Sequence, residues 1–467
     1  MSDLNALFAA QQQAFIQQPY SSLAERKARL RQLKRLILDN ETAIADALNA
    51  DFGGRAFYET RFIEVLPVIT NINHTLRSLR RWMKPQRRLI HWLYQPASGG
   101  VWSQPLGVVG IMVPWNYGLL LACGPLISAL AAGNRCMIKL SELTPHFGEL
   151  MARLVADYFT PEEVVVINGE IDVAQAFAAL PFDHLVFTGS TAVGRHIMAA
   201  AATNLTPVTL ELGGKSPAWI DPSIPVQEAA QRLVFAKCSN AGQTCVAPDY
   251  VLCPPDRIAA FTEAYLAEVR RQYGADPRLS SDYSAIINER QHQRLTAYLK
   301  QAEQSGGQLH WPSAAPDLDD VAAKLPPVIL TGVDAQSALM QDEIFGPLLP
   351  VLPCSDAAAA VHFINQRPRP LALYVFGYAR SLQPLFRQQT HSGSLVFNDA
   401  LIQAAQENLP FGGVGASGMG NYHDRAGFER LSQLKSVMVK GRLSTLKLVY
   451  PPYGRWIHRL IQWLMLR

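Results

Sequence analysis

Between positions 107 and 212 the sequence alternates short β-branched runs with helical stretches, and this alternation limits the fold more than any other feature. Strands are predicted at 107–114, 136–140, Val164–Ile167, 184–187 and Val208–Leu212. Helices are predicted between them at 119–132, Pro145–Tyr158, 173–180 and 192–203. Strands that are apolar along their whole length, without polar alternation, are buried on both faces. That requires a parallel sheet covered on each side by helices, so the class is α/β.

A second alternating series runs from about 216 to 398, with strands predicted at 250–252, 349–352, Ala372–Phe376 and Ser394–Phe397. The first hundred residues read mostly as helix. Leu30, Leu33, Ile37, Ile44 and Leu48 recur at helical spacing with Arg and Lys between them. Positions 88–94 and 101–104 read as the two strands of a β-hairpin around Pro96-Ala97-Ser98-Gly99-Gly100. The 306–326 stretch reads as an irregular surface excursion, and 433–440 as a late strand. The joint between the two series is placed at Gly213-Gly214.

At 467 residues and 49% hydrophobic, the chain can bury large cores without disulfide or metal staples. Its charged fraction of 17% is too low for a disordered chain. The net charge of +4 is too diffuse to indicate a nucleic-acid partner, although basic residues gather at 77–88 and near the C-terminus. Six cysteines without CxxC or zinc-finger spacing point to no metal and to a reduced, cytoplasmic compartment. Positions 1–18 lack a secretory pattern. The longest apolar run, 119–132, is short for a membrane span and carries Pro125.

Three residues are candidates for chemistry. Cys245 lies on a glycine-containing loop, Asn240 to Pro248, between a helical run and a strand. There it is either a nucleophile or an inert buried thiol. Glu211 stands in an apolar strand end, where burial would raise its pKa towards that of a general base; the alternative is an ion pair with Lys215. Asn116 follows a strand at its carboxyl end, where open α/β sheets bind ligands. It is either an oxyanion donor or a turn-former beside Gly118. The junction 187–194 runs from strand through glycine into helix, an arrangement that aims N–H groups at phosphate. Gly413-x-Gly415-x-x-Gly418 matches a dinucleotide fingerprint in letters alone, because no strand precedes it. It reads better as a glycine-dense loop near a substrate tunnel.

Six motifs occur in one order. They are Pro114-Trp115-Asn116-Tyr117, Phe187-Thr188-Gly189-Ser190, Glu211-Leu212-Gly213-Gly214-Lys215-Ser216-Pro217, Gly242-Gln243-Thr244-Cys245, Glu343-Ile344-Phe345-Gly346-Pro347 and Pro410-Phe411-Gly412-Gly413. In that order the chain resembles the aldehyde dehydrogenase superfamily over nearly its whole length. Gly242 to Tyr250 and Gly418-Met419-Gly420-Asn421-Tyr422-His423 resemble its class 3 branch. Pro451-Pro452-Tyr453-Gly454-Arg455 leans towards the bacterial coniferyl aldehyde type.

The resemblance implies an aldehyde dehydrogenase-like fold: a Rossmann-type cofactor domain, an α/β catalytic domain and a β oligomerisation arm. It places the NAD(P)-binding domain at 1–87 and 105–212, the catalytic domain at 213–430, the arm at 88–104 and 431–445, and a tail at 446–467. It implies Cys245 as nucleophile, Glu211 as hydrolytic base and Asn116 as oxyanion donor. Trp115, Lys139, Glu142, Gly189, Ser190, Gly194, Glu343 and Phe345 are implied to hold the cofactor, NAD with NADP as an option. The implied reaction takes an aromatic or medium- to long-chain aldehyde to its acid through a thioester, in a homodimer. Two positions depart from the family: Gly118, expected to loosen the Asn116 loop, and Leu140, expected to reshape the adenosine pocket.

Other readings are a CoA-acylating dehydrogenase, which needs no hydrolytic base, and a cysteine hydrolase, which needs a paired histidine. A non-catalytic scaffold is a third. The tail, 455–467, places Trp456, Ile457, Leu460, Ile461 and Leu464 at helical spacing opposite Arg455, His458, Arg459 and Gln462. Such a helix either packs over the substrate entrance or a partner subunit, or lies on an anionic membrane surface.

Overall fold

The computed structural model describes residues 2–318, 320 and 324–466. The first alternating series forms a sheet of six strands in the order Gly418–Met419, Val208–Leu212, His184–Gly189, Val108–Met112, Arg135–Lys139 and Val164–Ile167. The five strands of the series are parallel, as their uniform hydrophobicity requires. Their buried side chains pack against helices Gly118–Ala132 and Pro145–Tyr158 on one side and Thr191–Ala202 on the other. Leu30, Leu33, Ile37, Ile44 and Leu48 are all fully buried, on helices Leu23–Asp39 and Glu41–Phe52. The first of these starts with a capping box between Ser22 and Glu25.

The second series forms a seven-stranded sheet. Two of its strands, Pro217–Ile220 and Val328–Thr331, were not expected from the sequence. Each has proline at or just before its first residue, which masks the strand signal. The 306–326 stretch is not wholly irregular, because Gln308–His310 pairs antiparallel with Val328–Thr331 as an edge strand. Part of that stretch, 319 and 321–323, lies outside the described residues.

The expected hairpin needs correction. Gln86–Arg88 is a strand, but Trp92–Tyr94 is a 3-10 turn, and the second strand extends over Ala97–Pro105. Gly99 and Gly100 are therefore inside a strand. A Cβ at Gly99 would stand 2.5 Å from Ile90 Cδ1, and one at Gly100 would stand 2.8 Å from the Gln86 carbonyl oxygen. Close approach, not turning, selects glycine here. The late strand, Ser432–Lys440, pairs along the whole length of Ala97–Pro105 and completes a three-stranded antiparallel sheet.

Gly118 does not open a loose loop. It is the first residue of helix Gly118–Ala132, and a Cβ there would lie 2.6 Å from the buried Phe147 ring. The Glu64 carboxylate accepts from the Leu119 and Leu120 N–H groups at 2.9 and 3.1 Å and so caps the helix. Leu140 is buried, and its N–H is bonded to the Ile167 carbonyl at 3.1 Å.

The glycine-dense loop returns to the first sheet. Gly418 pairs with Glu211, at φ +137°, and a Cβ would stand 2.1 Å from the Leu210 carbonyl oxygen. Gly418→Ala is therefore expected to displace the strand that carries Glu211. Thermal unfolding should show Tm lowered by roughly 2–5 °C, together with a loss of turnover. An unchanged Tm would show that the contact can relax freely.

Candidate active site

Helix Val226–Cys238 ends in a tight turn, Ser239–Gly242, before Cys245 and strand Tyr250–Cys253. Asn240 and Ala241 both have φ +50°, and Gly242 has +74°. Left-handed backbone at non-glycine residues costs about 1–3 kcal/mol each and persists where surroundings enforce it. Here the enforcement is visible. The Asn240 N–H donates to Glu59, and Asn240 Nδ2 donates to the Asn116 carbonyl at 3.1 Å. Gln243 Nε2 donates to Asn240 O and Ala285 O at 2.9 and 3.0 Å, while its Oε1 accepts from the Ile287 N–H at 2.9 Å. A Cβ at Gly242 would lie 2.3 Å from the Gly346 carbonyl oxygen.

This turn delivers Cys245 to the meeting point of two cavities, and the thiol lines both. One is a polar cleft of about 420 Å³, walled by Trp115, Asn116, Gly189, Ser190, Glu211, Glu343 and Phe345. The other is an apolar tunnel of about 160 Å³ between Phe62, Leu120, Phe235, Ile402 and Phe411. The other five cysteines are buried; Cys245 alone among the six is partly exposed.

Burial pushes the Cys245 thiol up to about 12, with the Glu343 and Glu211 carboxylates adding to the rise. The N–H groups of Cys245 and Val246 oppose it. Neither Glu211 oxygen has a hydrogen-bond partner among the described residues, and burial holds its carboxyl well above the usual range. The alternative partner, Lys215, is engaged elsewhere: its Nζ lies 2.6 Å from Asp249 Oδ2. Glu211 is thus a buried acid without a structural use, the condition expected of a general base. Asn116 spends one amide hydrogen on the Gln243 carbonyl, at 3.0 Å. Its second amide hydrogen has no partner among the described residues, and Asn116 lines the cleft together with Cys245.

The cleft suits a dinucleotide. Ser190 caps helix Thr191–Ala202, whose first N–H groups form an anion site. A Cβ at Gly189 would stand 2.5 Å from the Phe187 ring, so glycine keeps that approach open. Trp115 and Phe345 meet edge to face at 5.2 Å, offering aromatic surface to a flat ring. Phe345 holds φ +49° to do so. Glu343 Oε1 is buried without a partner, and burial pushes this carboxyl to about 8. An unpartnered buried acceptor of this kind fits a ribose hydroxyl.

Three expected cofactor residues lie outside this lining. Lys139 ends its strand with Nζ 2.7 Å from the Leu140 carbonyl and 3.8 Å from Glu142. Gly194 packs its helix onto the sheet, where a Cβ would meet Leu212 Cδ2 at 2.7 Å. Conversely, Arg294 and Asp342 line the cleft and were missed. Arg294 donates to the Ile344 carbonyl at 2.7 Å and so braces the Glu343–Phe345 turn. Glu59, Arg55 and Glu64 were also missed, although a glycine pair just before Arg55 could have marked that segment. No imidazole hydrogen-bonds to Cys245 among the described residues, which removes the pairing that a cysteine hydrolase needs.

The aldehyde dehydrogenase family model matches residues 1–437. The chain is 48% identical to a probable coniferyl aldehyde dehydrogenase of Pseudomonas aeruginosa, covering 100% of this chain and 97% of that protein. It is 37% identical to a dimeric NADP-preferring aldehyde dehydrogenase of Rattus norvegicus, over 97% and 98% of the two chains. The fold matches that of a Staphylococcus aureus AldH in its substrate-bound state with a TM-score of 0.93 and 35% identity, over 99% of each chain. Six ordered motifs, a thiol set between a polar cleft and an apolar tunnel, and these likenesses agree: the chain belongs to the aldehyde dehydrogenase family and is an NAD(P)-dependent oxidoreductase acting on aldehydes.

Proposed function

We propose that this enzyme oxidises a hydrophobic aldehyde, an aromatic one of the coniferyl type or a medium- to long-chain aliphatic one, to its carboxylic acid through a thioester on Cys245. The observation that carries this reading is that Cys245 lines both cavities, one apolar and one suited to a dinucleotide. The tunnel walls carry no charged side chain, so an apolar aldehyde loses little hydration on entering. The coniferyl name of the Pseudomonas relative supports the aromatic class.

Cys245 gives up its thiol proton to solvent and Sγ attacks the aldehyde carbon; the carbonyl π bond opens and a tetrahedral thiohemiacetal alkoxide forms. Its oxygen is held by the free amide hydrogen of Asn116 and by the Cys245 N–H, donors typically worth about 2.7–4 kcal/mol each. NAD, when bound, supplies the hydride acceptor, and loss of that hydride leaves the thioester. The Glu211 carboxylate then takes a proton from water, whose oxygen attacks the thioester carbon; the C–S bond breaks, the acid leaves, and Glu211 returns the proton to Sγ. Glu211 also disfavours the CoA-acylating alternative, since transfer to a thiol acceptor leaves a buried, unpartnered acid with nothing to do. The cofactor-binding part is assigned to 1–87 and 105–212 and the catalytic part to 213–430.

The assembly is assigned as a homodimer formed through the arm. Strand Ser432–Lys440 is an edge strand bearing exposed Leu434, Met438 and Val439, a surface that a second copy can cover. The tail helix Trp456–Met465 rests against the Thr445–Val449 turn, which Thr445 ties to the Leu93 carbonyl at 2.5 Å. Only Ile461 of that helix is buried, while Trp456, Leu460 and Leu464 stay exposed. Arg467 lies outside the described residues. No described helix is long and apolar enough to cross a membrane. We assign the tail to peripheral contact with an anionic membrane, in an otherwise cytoplasmic enzyme.

Three outcomes follow. Cys245→Ala should abolish NADH formation at 340 nm with aldehyde and no CoA, while cofactor binding and Tm are retained; substantial residual turnover refutes the nucleophile. Glu211→Gln should keep a stopped-flow burst of NADH but slow the steady state by about 10²–10⁴-fold. Loss of the burst itself would place Glu211 earlier in the reaction. Co-sedimentation with anionic vesicles at low salt should pull down the full chain and not a chain ending at Gly454. If both stay in the supernatant, the tail is not a membrane element.

A further inference from the structure

His423 is the feature of the tunnel that the reaction leaves unused. It shares the wall with Phe62, Leu120, Phe235 and Phe411, yet it is a polar ring, only 4% exposed. Its Nδ1 is buried without a partner, and no hydrogen bond to either ring nitrogen exists among the described residues. Nδ1 is shut off from the cavity while Nε2 is not, so Nε2 is the ring nitrogen that an occupant of the tunnel can satisfy.

The ring is also held in place with some effort. His423 has φ +78° and Asp424 φ +50°, two consecutive left-handed residues that are not glycine. Asp424 is anchored by His74 Nε2 at 2.7 Å, which fixes the backbone just beyond the histidine. The imidazole stacks on Phe411 at 5.8 Å and meets Tyr422 edge-on at 4.6 Å. Burial pushes its pKa down to about 4, so the ring is neutral at physiological pH. A neutral imidazole carries one N–H and one lone pair. A buried orphan acceptor is tolerated better than a buried orphan donor. The proton therefore belongs on Nε2, leaving Nδ1 as the unpaired acceptor and Nε2–H as a donor.

We propose that His423 is a specificity-determining residue that donates from Nε2 to an oxygen substituent on the ring of an aromatic aldehyde held in the tunnel. The ligand class is thus a ring-oxygenated aromatic aldehyde, carrying a hydroxyl or methoxy oxygen as well as the reacting carbonyl. This deepens the aromatic reading of the proposed function and rests on it. At about 160 Å³ the tunnel is smaller than typical ligand clefts of roughly 300–1,000 Å³, and it suits one ring with a short aldehyde arm.

The test compares 4-hydroxycinnamaldehyde with 4-methylcinnamaldehyde, equal in size but differing in the oxygen. In the wild-type enzyme the kcat/KM ratio should favour the hydroxyl compound by about tenfold to a hundredfold, because the methyl leaves the imidazole unpaired. In His423→Phe the ratio should collapse towards one. His423→Asn, which tolerates positive φ and keeps a donor, should retain part of it. Titration calorimetry of 4-hydroxycinnamate against 4-methylcinnamate reads the same preference as a ratio of Kd values, even in a variant with no turnover. A wild-type ratio near one, or an unchanged ratio in His423→Phe, overturns the proposal. Absence of NADH with every aromatic aldehyde but turnover with aliphatic ones would instead refute the aromatic reading beneath it.

Discussion

The geometry around Cys245 depends on a buried charge pair formed well before it in the chain. Arg55 Nη1 lies 3.0 Å from Glu64 Oε1, and both side chains are wholly buried. The guanidinium is flanked by the Phe52 and Tyr117 rings, at 5.2 and 4.9 Å, and its Nη1 also donates to the Asn116 carbonyl at 3.1 Å. Glu64 turns its other oxygen to the N-terminus of helix Gly118–Ala132. One pair therefore sets both the backbone of Asn116 and the start of the helix that follows it. Removing one partner of such a pair typically costs about 3–5 kcal/mol, because the other charge stays buried. Burial outweighs the attraction of Arg55 and pushes the Glu64 carboxyl up, so the pair is a positional device more than a source of stability.

From Asn116 the constraint passes directly to the turn that carries Cys245. Asn116 accepts from Asn240 through its carbonyl and donates to Gln243 through its amide. The turn that carries Cys245 is thereby fastened to the strand end that carries Asn116. On the opposite side, Gly418 fits against Leu210 closely enough to exclude any side chain, which sets the strand bearing Glu211. The two cavities share the thiol because these three supports converge from different parts of the chain. A protein that must hold left-handed residues at Asn240, Ala241 and Phe345 needs such supports, since each tends to relax towards commoner backbone.

What the sequence disclosed follows from which interactions are local. The five parallel strands were legible because burial on both faces writes itself as an unbroken apolar run. Cys245, Glu211 and Asn116 were legible as candidates because each is a reactive or polar residue in an apolar or glycine-rich setting. Their convergence was not, since nothing local says that positions 116, 211 and 245 meet. The resemblance supplied that step. The hairpin was misread because Gly99 and Gly100 look like turn residues, when their real constraint is the nearness of Ile90 and Gln86. The Glu211–Lys215 pairing was a fair alternative on spacing, but Asp249, distant in sequence, takes the lysine instead. Arg55 and Glu64 were passed over because a buried ion pair joins two charged residues that each look like ordinary surface, the Gly53-Gly54 pair beside Arg55 being the local hint.

The tunnel constrains the substrate more closely than the cleft does. The cleft offers general features: a helix N-terminus, aromatic edges and an unpartnered carboxylate, which fit the common parts of any nicotinamide dinucleotide. The tunnel is apolar nearly throughout, and an apolar wall discriminates weakly, at about 1–3 kcal/mol per methylene. Selectivity of a higher order needs a polar group that is satisfied by one ligand and left orphaned by another. Tyr117 and Thr244 already satisfy each other at 2.7 Å, so neither is left in need of a ligand. His423 has no such partner, and its backbone is held in a costly conformation beside the ring it stacks on. In a wall that is otherwise apolar but for the Tyr422 hydroxyl, a group with an unsatisfied bond is able to tell two aldehydes of equal size apart.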